Sequence, residues 1–297
     1  MKRCRMVLVL VLLASIIAFA QSTPAKTAAA VRYGSNPAAG RTFTHDGVKL
    51  YYEVYGTGEP LLIIHGNGGS MFDVSAQIVH FRKHYRVIAM DSRDQGRSAD
   101  TQENVTYEKM ADDLAALLDH LKVGPANVLG WSDGAIEALL LGMRHPTKVM
   151  KIAAMAANLN PSDKAVQPEI LALVKEIVAK TSAKPDLTPH EKRDLKLTRI
   201  MLDQPNINTD QLASITAPTL ILAADHDVVV DEHTVDIFHH IPNSQLCIFP
   251  NATHMIPFDD PVTFNNTVER FFRTPFVKKD RIKDTFGSLE KLRAAQK

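Results

Sequence analysis

Gly130-Trp131-Ser132-Asp133-Gly134 sets a serine between two glycines, each two positions away. The run follows the apolar Ala126-Asn127-Val128-Leu129 and precedes a helical pattern, so it reads as a strand, a sharp turn and a helix. Small residues are needed two before and two after the serine, because strand and helix pass close there. Such a turn pushes Ser132 out above a sheet and sets it at a helix N-terminus, where backbone N–H groups favour negative charge. The chemistry this suits is nucleophilic attack, and a serine hydroxyl needs a base for it. Of the twelve histidines, position selects His254, which follows the last strand-like run and precedes the last helix of the sheet region. In an open α/β sheet the carboxyl ends of the strands line the ligand crevice.

A third group must orient the imidazole and stabilise its charged form. Ala223-Ala224-Asp225-His226-Asp227 ends the preceding strand and offers two carboxylates. Asp227 lies farther into the turn, where a side chain can swing toward the site, whereas Asp225 is equally suited to turn hydrogen bonds. Negative charge developing on a substrate oxygen needs backbone donors. One is the N–H of Asp133. The other is expected from the loop His65-Gly66-Asn67-Gly68-Gly69-Ser70, with Asn67 as the donor. Trp131, Gly68 and the Asp133 side chain are the candidate substrate contacts. No H-E-x-x-H or H-x-H-x-D-H pattern occurs, which disfavours a metal hydrolase, and neither metal nor cofactor is expected.

These residues need a scaffold of buried strands. Leu61–Ile64, Tyr85–Met90 and Asn127–Gly130 are continuous apolar runs, as expected of strands covered on both faces. Lys151–Met155, Thr219–Ala223 and Gln245–Phe249 follow. Val48–Tyr55 pairs with Arg41–His45 as a hairpin across Asp46-Gly47. Helical patterns alternate with the strands at Tyr107–Leu121, Ala135–His145 and Val262–Phe272. Alternation of this kind implies a mostly parallel central sheet with helices on both faces, an α/β fold. Residues 161–215 break the rhythm with two helical patterns, Glu169–Lys180 and Pro189–Asp203, and no strand; they are expected to form a small helical lid. The core is then 41–160 and 216–275.

The ends differ from the body. Met1–Arg5 is basic, Met6–Ala20 is apolar, and Ala18-Phe19-Ala20 is a small-x-small site, so residues 1–20 read as a signal peptide and the chain as exported. Residues 21–40 read as a flexible leader. After signal removal no stable membrane span is expected. Residues 276–297 form a basic tail, with seven Lys or Arg against three acids. The 297-residue chain carries a formal net charge of +1, so no strong field steers it toward nucleic acid. Its 45% apolar and 23% charged residues fit a globular chain with a real core. Of two cysteines, Cys4 lies in the signal and Cys247 reads as a buried small hydrophobe.

From about Thr42 to Phe272 the chain resembles the α/β-hydrolase superfamily. The resemblance is carried by His65-Gly66, Asp91-Ser92-Arg93-Asp94-Gln95-Gly96-Arg97-Ser98, the serine turn, Asp227 and His254. Asp94 stands where the family has glycine, which implies a local difference in that turn. Alignment with the family's G-x-x-D pattern favours Asp227, with Ala224 in place of its glycine. Around Ser132 the sequence most resembles valacyclovir-hydrolase-like (biphenyl-hydrolase-like) enzymes. The resemblance implies hydrolysis of a small-molecule ester by Ser132, His254 and Asp227, or of a lactone or carbon–carbon bond by the same residues. A non-catalytic ligand-binding protein of the same fold is the alternative from another class. In the enzymes this turn resembles, an acid at the position of Asp133 recognises the α-amino group of amino-acid esters.

Overall fold

The computed structural model describes residues 31–296; the expected signal, 1–20, and the first half of the expected leader, 21–30, lie outside them. The strands are β1 (Arg41–His45), β2 (Val48–Tyr55), β3 (Glu59–Ile64), β4 (Tyr85–Met90), β5 (Ala126–Trp131), β6 (Val149–Met155), β7 (Thr219–His226) and β8 (Ser244–Thr253). The helices are α1 (Ser75–Phe81), α2 (Tyr107–His120), α3 (Asp133–Arg144), α4 (Pro168–Ser182), α5 (Pro189–Asp203), α6 (Asp231–His240), α7 (Ile256–Asp259), α8 (Pro261–Arg273) and α9 (Arg281–Ala294). One eight-stranded sheet has the order β1-β2-β4-β3-β5-β6-β7-β8. The β1–β2 and β2–β4 pairs are antiparallel, and all others are parallel.

The apolar strands behave as their composition demands. Successive side chains of a strand point to opposite faces, so Leu62 and Ile64 of β3 join one cluster while Leu61 and Ile63 join another. The first cluster is closed by α2, α3 and α6 through Leu114, Ile136 and Ile237. The second is closed by α1 and α8 through Ile78, Phe81, Phe264 and Val268. Burial of each such side chain contributes roughly 1.5–3 kcal/mol, so the parallel strands are fixed from both sides.

Local chemistry sets the element ends. In the β1–β2 turn Asp46 and Gly47 have φ of 45° and 73°, both left-handed, as a tight hairpin requires. Thr106 caps α2 by accepting from Lys109 N–H, and Thr188 and Glu191 form a reciprocal cap at the start of α5. Asp260 accepts from Thr263 N–H and Pro261 opens α8.

Several features differ from the sequence reading. Helix α1 is only seven residues long and has no side-chain cap, so it leaves no readable period. Residues 31–40, expected to be the second half of a free leader, are tied to β2. The fully buried Glu53 carboxylate accepts from Gly34 N–H and Asn36 N–H at 2.9 Å, and from the Tyr51 and Tyr55 hydroxyls at 2.6 Å. A buried carboxylate is costly unless its oxygens are paired, and this segment supplies two of the four donors. Cys247 is half-buried rather than buried. Asp94, at φ 63°, adopts the left-handed conformation itself, so the turn keeps the backbone that glycine would give.

Helices α4 and α5 lie between β6 and β7 in the chain. The start of α4 is stitched to the loop after β7: Gln167 N–H donates to Val228 O at 2.9 Å and Val230 N–H to Ala165 O at 3.0 Å. Helix α9 buries no side chain. Among the described residues no helix is long and apolar enough to cross a membrane.

Candidate active site

Ser132 ends β5 and precedes α3 with φ 57° and ψ −124°, a conformation that side-chain-bearing residues rarely adopt. The flanking glycines make it feasible. A Cβ on Gly130 would collide with the carbonyl of Gly134, and a Cβ on Gly134 would lie 2.6 Å from His65 O. Strand and helix therefore cross at backbone contact, and the serine side chain is held outward. Its own N–H donates to Met155 O at 2.8 Å, tying the turn to β6.

His254 follows β8 and reaches back over Ser132. Its Nε2 is 3.0 Å from Ser132 Oγ and its Nδ1 2.7 Å from Asp227 Oδ1. Asp227 is anchored by the N–H groups of Ala224 at 3.1 Å and Val228 at 2.8 Å. With Nδ1 donating to this carboxylate, Nε2 is left to accept the serine proton. Trp131 holds the histidine from the other side, its Nε1–H donating to His254 O at 3.0 Å. The second carboxylate, Asp225, is exposed and accepts from Asn251 N–H at 2.7 Å and Ala252 N–H at 3.0 Å. Those two bonds hold its carboxyl below the usual range. They also hold Asn251 in its left-handed conformation, φ 51°, just before the histidine.

The loop after β3 lies against the serine: a Cβ on Gly66 would be 3.2 Å from Ser132 Cβ. His65 sets this loop. Its Nδ1–H donates to Gly66 O at 2.7 Å, and its Nε2 accepts from Ser92 N–H at 3.1 Å. Among the described residues, neither Asn67 N–H nor Asp133 N–H donates to a protein acceptor.

The Asp133 side chain is only 6% exposed. Its donors are neither arginine nor lysine. The Tyr107 hydroxyl donates to Asp133 Oδ2 at 2.7 Å, and the Asn67 amide gives further support. Burial pushes the carboxyl up to about 6; these donors and nearby His254 pull it only partway back. Tyr107 has no sequence signal of its own, since it starts a helix 26 residues earlier and only the tertiary packing of α2 on α3 brings it here.

Glu137 lies one turn along α3 from Asp133 and is 1% exposed. Its carboxyl sits 3.3 Å from Ser92 Oγ. The nearest cation, Arg93, is already bound to Asp113 through bonds of 2.7 and 2.6 Å. Burial, then the charges of Asp133 and Asp113, push Glu137 well above the usual carboxylate range. The folded protein thus retains a proton that the unfolded chain releases near pH 4.3. Stability from this group is full below that pH and falls as pH rises toward the folded value, by about 1.4 kcal/mol per pH unit. Glu137→Gln is expected to flatten this decline. Thermal midpoints of both proteins from pH 5 to 9 check it; parallel curves would show that Glu137 is ionised in the fold.

Two cavities meet at Ser132 and His254. The inner one, about 50 Å³, is bounded by Asp133, Tyr107, Leu171, Val174 and Val229. The outer one is an open cleft of about 800 Å³ that reaches Gly68, Trp131, Ile177, Arg193 and Met255. The structure thus brings Ser132, Asp227, His254, Asn67 and Asp133 together, places Trp131 and Gly68 on the outer cleft, and gives Asp225 to the turn.

Comparison with known proteins agrees with this architecture. A sequence model of the alpha/beta hydrolase fold matches residues 59–173. Serine hydrolase BPHL of Mus musculus is 25% identical over 253 residues, covering 77% of this chain and 84% of that protein. The pimeloyl-[acyl-carrier protein] methyl ester esterase of Vibrio cholerae is 27% identical over 240 residues, 69% of this chain and 91% of the other. The crystal structure of MGS-M2, an alpha/beta hydrolase enzyme from a Medee basin deep-sea metagenome library, superposes with a TM-score of 0.72. It shares 21% identity over 81% of this chain and 100% of that one, a likeness of fold.

Proposed function

We propose that this chain, which belongs to the α/β-hydrolase superfamily, is a serine hydrolase that cleaves a small carboxylic ester through an acyl-enzyme. The observation that carries this reading is the unbroken line Asp227–His254–Ser132, with bonds of 2.7 and 3.0 Å, at the junction of two cavities. Ser132 Oγ attacks the ester carbonyl as His254 Nε2 takes its proton. The carbonyl oxygen, now negative, is held by the N–H groups of Asn67 and Asp133. Collapse expels the alkoxide, which takes the proton from His254. A water then attacks the acyl-enzyme with His254 again as base, releasing the acid and restoring Ser132. Asp227 keeps the imidazole oriented and stabilises its charged form.

The unequal cavities support a division of the substrate: a small acyl group inside and a larger alcohol in the open cleft. Helix α4, which supplies Leu171, Val174 and Ile177 to these cavities, and α5, which supplies Leu197 and Met201, act in this reading as the lid. A fluorophosphonate that labels Ser132 tests the nucleophile and separates an enzyme from a binding protein. A panel of activated esters, with one lactone, tests the substrate class.

Asp133 extends the proposal to an ammonium group on the acyl side, because its carboxylate is desolvated and lines the inner cavity. Loss of a desolvated charge pair costs roughly 2–5 kcal/mol. Esters with a free α-amine should then exceed their des-amino counterparts in kcat/KM by tenfold or more. That ratio is expected to fall as pH drops through about 6, where Asp133 gains a proton. Taking a ratio cancels the protonation of the base, which both substrates share. Equal kcat/KM values at pH 8 would remove amine recognition. Export is part of the same proposal, and a mature N-terminus at or near Gln21 is its test.

A further inference from the structure

The outer wall of the site is not simply laid over the core; polar ties join α5 to it, among them an Arg193–Asp100 pair at 3.5 Å and three nearer the site. Lys196 Nζ lies 2.7 Å from Asp94 Oδ2, with the Asp94 side chain fully buried, and donates to Thr101 O at 2.8 Å. Gln204, which ends α5, faces Tyr107 N–H and Val105 O at 3.4 Å. Between them, the Asn67 amide Nδ2 donates to Leu197 O at 2.9 Å, across 130 residues of sequence. Asn67 is therefore a joint. Its side chain is held by the helix wall, while its backbone N–H is the donor assigned to the substrate oxygen.

We propose that the Asn67 side chain is a positioning group that couples the seating of α5 to the geometry of the oxyanion donor. The inference rests on the acyl-enzyme reading above. His65 and the packing of Gly66 hold the loop before Asn67, but Gly68 after it, at φ 66°, is exposed with open space around it. The bond from the Asn67 side chain to a helix carbonyl restrains that second side. When α5 is seated through Lys196 and Asp94, Leu197 O sits where it can hold the amide. When α5 lifts, the joint loosens and the donor drifts from the position that stabilises developing charge. Donor placement of this kind acts on the transition state more than on the bound substrate.

Asn67→Ala is the direct test, because it keeps the backbone N–H and removes only the joint. Expected is a ten- to fiftyfold loss in kcat with KM changed less than threefold. The affinity for a trifluoromethyl ketone should fall by the same factor as kcat/KM, with the thermal midpoint held. Asn67→Asp, which puts an acceptor against Leu197 O, should be worse still. Lys196→Met frees α5 without touching Asn67. It should lower kcat several-fold in the otherwise native protein and have no further effect in the Asn67→Ala background. A kcat for Asn67→Ala within twofold of the native value, or equal losses from Lys196→Met in both backgrounds, would overturn the coupling. Ser132→Ala run alongside separates the readings: an inactive Ser132→Ala with an active Asn67→Ala rejects the joint alone, and an active Ser132→Ala rejects the acyl-enzyme itself.

Discussion

Ser132→Ala and His254→Ala are each expected to reduce kcat by roughly 10⁴- to 10⁶-fold while the fold persists, because in the proposed mechanism nucleophile and base act as one unit. Removal of either leaves the other without work: an alanine has no Oγ for His254 to activate, and a serine without Nε2 keeps its proton at neutral pH. The fold is preserved for identifiable reasons. Alanine at 132 retains the Cβ and hence the same backbone demand, which the crossing at Gly130 and Gly134 already meets. The serine hydroxyl bonds only to His254, so no other donor or acceptor is orphaned. His254 is itself partly exposed, 16% for its side chain, and its truncation opens onto the cleft rather than into the core. The measurement is kcat per active site, with thermal midpoints in parallel. A rate close to native in Ser132→Ala protein freed of contaminating esterases would end the assignment.

The two acids after β7 give the second large effect, and they should part company. Asp227→Asn is expected to cost about 10³- to 10⁴-fold in kcat. With its oxygen in the place of Oδ2 the replacement amide still accepts from Ala224 N–H, but it gives up the bond from Val228 N–H, which shares Oδ1 with His254. Its NH₂ then faces His254 Nδ1, which must turn acceptor, so the ring proton moves to Nε2 and points at Ser132. The base is lost with the geometry intact. Asp225→Asn keeps an oxygen for one of the two N–H groups, Asn251 or Ala252, loses the other bond and never meets the imidazole. Its loss is expected to stay within tenfold, as a mild loosening of the turn that carries His254. Steady-state kinetics of the two variants side by side decide the matter. The reverse ranking would move the orienting role to Asp225.

How much of this was legible in the chain depends on the range of the physics involved. The parallel strands were readable because burial on both faces forces continuous apolar runs, as in Leu61–Ile64. The serine turn was readable because close crossing admits only glycine at 130 and 134. The histidine followed from its place after the last strand, whereas strand-end position left Asp225 and Asp227 both open and the family's G-x-x-D pattern favoured Asp227. The Asp133 donors were not readable: Tyr107 and the Asn67 side chain reach it only through tertiary packing. The ties of α5 to Asn67 and Asp94 were equally hidden, since nothing local in Leu197 or Lys196 marks them. Asp94 takes the left-handed conformation that glycine fills more freely, its own buried carboxylate held by Lys196 and Thr101. The segment before residue 40 misled because its composition is that of a leader, while its order comes from a single distant carboxylate, Glu53.

The order of the strands also bears on how the protein comes to be. Ser132 and His254 meet across 122 residues, and β8, which delivers the histidine, is the edge strand farthest from β1 in the sheet. Contacts of such long sequence separation carry a large loop-closure entropy and form slowly. A chain emerging from the ribosome can pair β3, β4 and β5 and set the strained serine turn well before its base exists. On the mechanism proposed above, activity can begin only once β8 has docked, because until then Ser132 lacks its base.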